Sequence, residues 1–373
     1  SERSMDRKIE RICREFGVTG EYVNYEIVTN GHINCTYKVF FIRNGEIKDY
    51  ILQKINGYVF KNPVIVMDNI VRVTEYIRAK IKATGVSAKR YVLHYSRTED
   101  GKYYLVDENG WFWRCSRFID NSVTFNMTDN LGVIEETGKA FGEFQMYLGD
   151  FPVNDLNIVI PHFHNTVMRY ETFEKAIEKD EAGRRAQVQP EIDGYLALKE
   201  IATRMYGMQV RGELPLKVTH NDTKCNNVLF DKDTLRHLSV IDLDTVMPGL
   251  VGFDFGDAIR FIANTCDEDE RDLSAVKLDM SKFKAFTKGF LSMVGETLTK
   301  NETETLPLGA ITMTVECGMR FLTDYLDGDK YFKVCRKSHN LDRARCQLAL
   351  ARDMIAKCDA MKAVVDEYSE TYA

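Results

Sequence analysis

One stretch constrains this chain more than any other: residues 216–249, LKVTHNDTKCNNVLFDKDTLRHLSVIDLDTVMPG. An apolar strand runs into a polar loop, His220-Asn221-Asp222-Thr223-Lys224-Cys225-Asn226-Asn227, and then into two short apolar runs. Val228 to Phe230 reads as one strand, Asp231 to Thr234 as a turn, and Leu238 to Ile241 as a returning strand that ends at Asp242. The midpoint of positions 227 and 242 falls at the edge of that turn, so antiparallel pairing predicts that Asn227 and Asp242 face each other across the open end of the hairpin. An amide oxygen and a carboxylate held there, beside Asp222, make an all-oxygen site.

Such a site is what Mg²⁺ with nucleotide phosphates requires, because Mg²⁺ keeps several waters and uses few protein ligands. His220, Asp222 and Asn227 fit H-x-D-x-x-x-x-N, the pattern of kinase catalytic loops. Lys224 can set positive charge against a transferring phosphoryl group. Phosphoryl transfer is mainly positioning and charge neutralisation, so a base, two metal ligands and a cation form a nearly complete set. The bland alternative is a polar loop between core strands, with Asp222 as a cap and Asn227 and Asp242 solvated. Asp254-Phe255-Gly256 spells the metal motif of protein kinases, but it lies 32 residues beyond Asp222, whereas Asp242 lies 20 beyond. Asp254 and Asp257 therefore read as structural carboxylates, with Asp257 bracing the loop and Arg260 its partner. Asp244 is a candidate for a supporting or second-metal position.

Upstream, the chain is strand-like. Runs at Tyr22 to Val28, Cys35 to Ile42 and Ile47 to Ile55 are separated by Asn30-Gly31 and Asn44-Gly45, both hairpin signals. Val66, Ile70, Val73, Ile77 and Ile81 then share one helical face between Pro63 and Gly85. Three further strands are expected at Tyr91 to Tyr95, Lys102 to Asp107 and Trp111 to Phe118. From Asn121 helical period dominates, with stripes at Ile134, Phe141, Phe144, Leu148 and at Ile192, Tyr195, Leu196, Ile201, and later helices at 280–297, 306–326 and 341–371. The expected fold is α+β: a short N-terminal helix (5–15) and a β-rich lobe to residue 118, then a helical lobe over 119–373. Gly31 and His32 fall in the first hairpin, where kinases place a phosphate cover, although G-x-G-x-x-G is absent. The third strand ends Gln53-Lys54, where a phosphate-pairing lysine is expected, and alternation leaves open which of the two faces the cleft. Glu75 could pair with that lysine or stand on a solvated face. Phe118, Ile119 and Asp120 join the lobes and should present backbone groups to adenine.

Composition narrows the partners. With 44% apolar and 28% charged residues the chain is not disordered, collagenous or a disulfide miniprotein. No run approaches the ~20 apolar residues of a membrane span, and no signal-type stretch stands near the N-terminus, so a cytoplasmic location is expected. Ser1 to Ser4 read as a remnant ahead of a natural start at Met5. Fifty basic against 56 acidic residues give −6 with no single-sign block, which argues against nucleic acid and membrane partners, and no obligate protein partner is evident. Nine scattered cysteines without a C-x-x-C pair imply free thiols, and Cys225 is expected to pack. His162-x-His164 lacks a nearby third ligand, which favours loop packing or substrate contact over a metal.

Longer strings extend the picture. GHIN-TY (31–37), YILQ (50–53), FGEFQ (141–145), HFH (162–164), QPEIDGYL (189–196), VTHNDTKCNN (218–227), IDLDTVMPG (241–249), FDFGDAIRF (253–261) and ECGMRFLTDYLDGD (316–329) resemble the aminoglycoside phosphotransferase and choline kinase-like superfamily. More closely, they are similar to bacterial N-acetylhexosamine 1-kinases. The resemblance implies a protein kinase-like bilobal fold, ATP as co-substrate, Mg²⁺ as cofactor, and phosphorylation of the anomeric hydroxyl of N-acetylglucosamine or N-acetylgalactosamine. It implies Asp222 as base, Asn227 and Asp242 as metal ligands, and His32, Lys224, Arg320 and Tyr331 as sugar contacts. Nucleotide contacts fall to Gly31, Gln53, Lys54, Phe118, Ile119 and Asp120. Without the resemblance, Arg320 inside an apolar helix reads as a buried salt bridge. Two other readings stay open: a kinase of the same fold for an aminoglycoside, choline or homoserine, with the acid-rich run Asp267 to Asp272 as cation site or as a solvated helix start, and an inactive nucleotide- or sugar-binding module.

Overall fold

A computed structural model describes residues 2–28, 35–55 and 61–373. The Asn30-Gly31 turn and the candidate residues Gly31 and His32 lie outside the described residues. The first part of the chain comprises α1 (Glu2–Glu15), β1 (Glu21–Ile27), β2 (Cys35–Arg43), β3 (Glu46–Lys54), α2 (Pro63–Ala83), β4 (Leu105–Val106) and β5 (Phe112–Arg117). The strands form one antiparallel sheet in the order β1-β2-β3-β5-β4. Asn44 and Gly45 both take positive φ (53° and 78°), and Arg43 pairs with Glu46, the tight turn that Asn-Gly favours.

Alternation along the strands gives the sheet two different faces. Val39, Phe41, Leu52 and Trp113 pack under Ile9 and Ile12 of α1 and Phe16 just beyond it. The opposite face carries Lys38, Ile51, Gln53 and Arg114 and lines a cavity. Helix α2 buries the expected stripe from Val66 to Ile81, but that stripe shares its core with Phe144, Leu148, Val218, Leu243 and Val246. It therefore ties the sheet to the rest of the molecule. The expected strand at Tyr91 to Tyr95 is absent. The outer edge of β5 is short, β4 takes its first half, and the segment touches the remainder only through Ser96 N–H to Cys115 O (2.8 Å) and Arg117 N–H to His94 O (3.1 Å). The strand expected at 102–107 shrinks to β4 for the same reason.

The helical part follows: β6 (Ser122–Val123), α3 (Leu131–Leu148), α4 (Thr166–Lys179), α5 (Gln189–Ala197), α6 (Lys199–Val210), β7 (Lys217–Thr219), β8 (Val228–Asp231), β9 (His237–Val240), β10 (Met247–Gly249), α7 (Val251–Ile262), α8 (Met280–Val294), α9 (Lys300–Glu304), α10 (Leu306–Asp327), α11 (His339–Ala356) and α12 (Cys358–Thr371). Helices α7 and α10 cross so closely that a Cβ on Gly256 would sit 2.1 Å from the Gly309 carbonyl oxygen. That contact locks the start of α10 against the middle of α7.

Three expected helices are corrected. The 192–201 stripe divides between α5 and α6 at Leu198, leaving Leu196 exposed. The 280–297 helix ends at Val294, and a single tight turn completes it. The 341–371 helix breaks at Lys357, whose ammonium is tied to Asp353 (2.7 Å) and to the Leu278 carbonyl (3.0 Å). The acid-rich run is irregular, with Glu268 paired to Arg260 (2.5 Å) and Asp269 to His339 (2.9 Å), and only its last residue starts a helix, where Asp272 caps the single turn Leu273–Ala275. All nine cysteines are free, and among the described residues no helix is long and apolar enough to cross a membrane.

Candidate active site

Asp222 sits on a loop that other polar groups hold rigid. His220 is fully buried between Phe141 and Phe144; its Nδ1 accepts the Asp222 N–H (3.1 Å) and its Nε2 donates to the Ile241 carbonyl (2.8 Å). Those two bonds specify a neutral imidazole with its proton on Nε2. Asp254, buried at the start of α7, accepts the N–H of His220 (2.7 Å) and of Asn221 (2.9 Å). The brace expected from Asp257 therefore comes from Asp254. Asp257 instead receives the Arg260 guanidinium (3.0 Å), because it lies one turn further along α7. Asn221 takes a left-handed φ of 68° and donates to Thr245 O (2.9 Å), while Thr245 Oγ1 donates to His220 O (2.8 Å). The Asp222 loop and the segment after β9 are thus stitched together from both sides.

The hairpin differs by one residue from its expected register. Val228 opposes Val240, Phe230 opposes His237, and the Ile241 N–H donates to Asn227 O (2.8 Å). Asn227 therefore faces Ile241, and Asp242 stands one position beyond. The pair nearest the turn, Phe230 with His237, is offset by two from the expected register, and the bulge between Val228 and Phe230 recovers one of those two residues. The chain compensates at Asp242, which takes a left-handed φ of 57°. Its carboxylate still reaches the charge field of Asp222, and burial together with Asp244 and Asp222 pushes its pKa up to about 6. A carboxylate crowded by like charges is suited to take up a cation. Asn227 Nδ2 donates to the Asp222 carbonyl (2.7 Å), which leaves its amide oxygen as the acceptor. An amide oxygen and a crowded carboxylate fit Mg²⁺ completed by water and phosphate. Among the described residues no three or more His, Cys, Asp or Glu side chains could cage a metal by themselves.

Asp242 also lines a cavity of about 480 Å³ together with Ile51, Gln53, Arg114, Phe118 and Ile119. Strand alternation puts Gln53 in it and turns Lys54 away, over the Trp111 ring (4.6 Å). The lysine alternative for the phosphate-facing position is thereby corrected. Glu75 pairs with Arg78 (3.3 Å) instead of with any β3 lysine. Asp120 is exposed outside the cavity, and its carbonyl accepts from Arg90 (2.9 Å). Among the described residues no partner takes the Phe118 carbonyl or the Ile119 N–H, a neighbouring acceptor and donor. Sequence reading passed over Arg114. It is fully buried on β5, its terminal nitrogens are held by Asp244 (Nη2 to Oδ2 3.0 Å), and its Nε donates to Gln53 Oε1 (2.8 Å).

The other side of the loop is formed by helices. Lys224 Nζ lies 4.0 Å from Asp222 Oδ1 and 5.3 Å over the Phe261 ring, within the charge field of Asp257. Glu316 of α10 binds His164 Nδ1 (2.7 Å) and Thr166 (3.2 Å), so His164 is a structural partner and not half of a metal pair. Arg320, one turn on, is half-buried and lies against Phe163 (5.9 Å), Tyr331 (5.7 Å) and Phe332 (5.4 Å). No carboxylate pairs with it among the described residues, so the buried salt bridge expected there is absent. Burial pushes the Cys317 thiol up to about 12 against the pull of Arg260 and Arg320, with the Glu268 and Asp257 carboxylates adding to the rise. Tyr331 is 73% exposed, yet its backbone is fixed: Asp324 accepts the N–H groups of Lys330, Tyr331 (2.9 Å each) and Phe332 (3.0 Å). Cys225 is buried beside Thr137 (3.6 Å), and burial raises its pKa, as packing requires.

An antiparallel sheet over a helical lobe, with an Asp-bearing loop and an oxygen-rich hairpin end at their seam, defines a protein kinase-like phosphotransferase fold. Residues 131–283, the segment that carries the loop, match the model of the phosphotransferase enzyme family. The whole chain is similar to a microcompartment-associated aminopropanol kinase (14% identity, TM-score 0.64, covering 95% of this chain and 98% of that one). It is similar also to a choline kinase from Cryptosporidium parvum Iowa II (13%, 0.54, 97% and 99%) and to a spectinomycin phosphotransferase in complex with ADP and spectinomycin (12%, 0.54, 93% and 98%). At these identities the likeness is one of fold.

Proposed function

We propose that this protein is an ATP- and Mg²⁺-dependent small-molecule kinase that phosphorylates the anomeric hydroxyl of N-acetylhexosamines. In this reading residues 5–118 bind nucleotide, and residues 119–373 carry the chemistry and the acceptor. Backbone groups of residues 118–120 would meet the adenine edge, and Gly31 would lie over the phosphates. Asn227 and Asp242 would hold Mg²⁺, which when bound neutralises phosphate oxygens. Asp222, immobilised through His220 and Asp254, accepts the proton of the acceptor hydroxyl as that oxygen bonds to the γ-phosphorus and the bridge to the β-phosphate breaks. Lys224 sets positive charge beside that transfer.

The acceptor class rests on one observation: Arg320 faces its aromatic surround with no carboxylate partner among the described residues. Choline or an aminoglycoside would meet that charge, together with Lys224, as repulsion. The acid-rich run that could have received a cation is already occupied by Arg260 and His339. A neutral sugar instead presents hydroxyl and N-acetyl oxygens that accept from a guanidinium and a hydrophobic face for Tyr331. His32 is assigned to the same sugar. The deciding experiment follows ATP consumption with N-acetylglucosamine, N-acetylgalactosamine, choline and aminoglycosides, with phosphorus and proton NMR of the product. The expected product is the α-sugar 1-phosphate from both N-acetylhexosamines. Phosphate on C6, or turnover confined to the cationic substrates, overturns the assignment.

A further inference from the structure

The sheet offers the nucleotide cavity a glutamine where a lysine is expected, so another group must supply the link between sheet and metal side. Among the described residues three cations line the cavity: Lys38, Arg114 and Arg117. Lys38 is engaged with Asp49 (3.7 Å) and the Phe118 ring (3.8 Å), and Arg117 is exposed. Arg114 alone reaches the carboxylates beside the hairpin, and it is part of a continuous chain of bonds. Asp244 holds its terminal nitrogens, its Nε donates to Gln53 Oε1, and Gln53 Nε2 donates to Thr36 Oγ1 (3.1 Å). The chain runs from the segment after β9 through β5 and β3 to β2. It fixes the orientation of the Gln53 amide, and it grips the Asp244 side chain two residues after Asp242, the position that needed a left-handed turn to reach the site. The same segment is held a second time where Asn69 of α2 donates to Val246 O (3.0 Å).

We propose that Arg114 is a positioning residue for the nucleotide–metal half of the site, acting through Asp244 on Asp242 and through Gln53 on the phosphate-facing surface of the sheet. This rests on the phosphotransferase reading above. Arg114 thereby does from β5, without touching the reacting atoms, what a β3 lysine would do from within the cleft. Outer partners that orient metal ligands typically carry about 10–100-fold in metal affinity.

The test is calorimetric titration with Mg·ADP and with metal-free ADP, alongside thermal melts. Arg114→Met should bind Mg·ADP about 10–100-fold more weakly and need more Mg²⁺ for half-saturation, while N-acetylglucosamine binding stays within about twofold. Because Arg114→Met takes the guanidinium away from a buried carboxylate, Arg114→Met/Asp244→Leu removes both charges of the pair. If the double variant melts near wild type and still binds Mg·ADP at least about tenfold more weakly, positioning is upheld. Wild-type affinity in the double variant, or equal or tighter Mg·ADP binding by Arg114→Met, overturns it and leaves the pair a structural tie or Asp244 a metal ligand in its own right. Wild-type protein that binds no Mg·ADP overturns the phosphotransferase reading itself, and this inference with it.

Discussion

Arg114 and Arg320 both border the Asp222 loop, but they are held in opposite ways. Arg114 is fully buried, two of its nitrogens face one carboxylate and a third faces an amide oxygen. Arg320 is half-buried against three aromatic rings with no carboxylate among the described residues. In the proposed reading the sheet side would meet the more highly charged substrate, yet its arginine is the neutralised one. A polyphosphate would arrive with metal, so what that side would need is fixed geometry. The helical side would meet a neutral acceptor, and there a guanidinium without a carboxylate partner would give recognition that a hydroxyl-rich ligand can complete. Aromatic faces keep such a cation in place without consuming its hydrogen bonds.

The largest expected effect lies between the two arginines. Asp222→Asn keeps every bond its backbone makes to His220 and Asn227, so nucleotide binding should persist. Turnover should fall about 10²–10⁴-fold, the usual contribution of a general base. Retention of more than about a tenth of wild-type turnover would remove Asp222 from that role, and the contrast between the two sides would lose its centre. Arg320→Met comes next. Loss of hydrogen bonds to a charged group costs about 1.5–3 kcal/mol, so KM for N-acetylglucosamine should rise about 10–100-fold, with Mg·ADP affinity unchanged. A variant that weakens ADP and sugar alike would show that the two arginines do not divide the substrates, and one that turns over choline would identify Arg320 as the excluding charge.

How much of this was legible in the sequence follows the range of the interactions. The Asn44-Gly45 turn, the α2 stripe and the H-x-D-x-x-x-x-N loop are local patterns, and each is where periodicity and turn chemistry put it. The hairpin was legible except for its turn: nothing in VLFDKDTLRHLSVID marks Leu235 as left-handed (φ 58°) or the bulge that recovers one of the two residues by which the register is offset there, and an aspartate in left-handed conformation at 242 leaves no sign that a glycine would have left. Arg114 escaped because its partner is 130 positions away. Within WFWRCSRF it reads as one more strand residue, although an arginine alternating with two inward aromatics was a signal that the second sheet face was polar. The helix breaks at Leu198 and Lys357 carry neither glycine nor proline, so tertiary ties set them. Asp254 could have been chosen over Asp257 only by knowing which turn of α7 faces the loop.

The smallest expected effect on turnover comes from a third cluster that completes the comparison, a buried cation with carboxylates on both sides and no substrate to serve. His237 lies between Glu136 (2.7 Å) and Glu143 (3.3 Å) on the far side of the β8–β9 hairpin. Burial pulls its pKa down, but the hydrogen bonds and charges of the two glutamates outweigh that and raise it to about 9. Burial likewise works against Glu136, whose bonds to His237 still bring it down to about 2. An unfolded histidine titrates near 6.5. Below that pH both states carry the proton and the stabilisation is complete; between about 6.5 and 9 only the folded state keeps it, so stability falls as pH rises and the contribution is gone above about 9. Urea unfolding across this window should therefore show a downward slope in the wild type that His237→Gln flattens, while kcat and both substrate KM values stay within about twofold at pH 7. If His237→Gln leaves the slope intact, the imidazole is neutral in the fold. If it changes KM for sugar or nucleotide, the compensated cluster is coupled to the site, and full pairing no longer separates a tie from a binding residue.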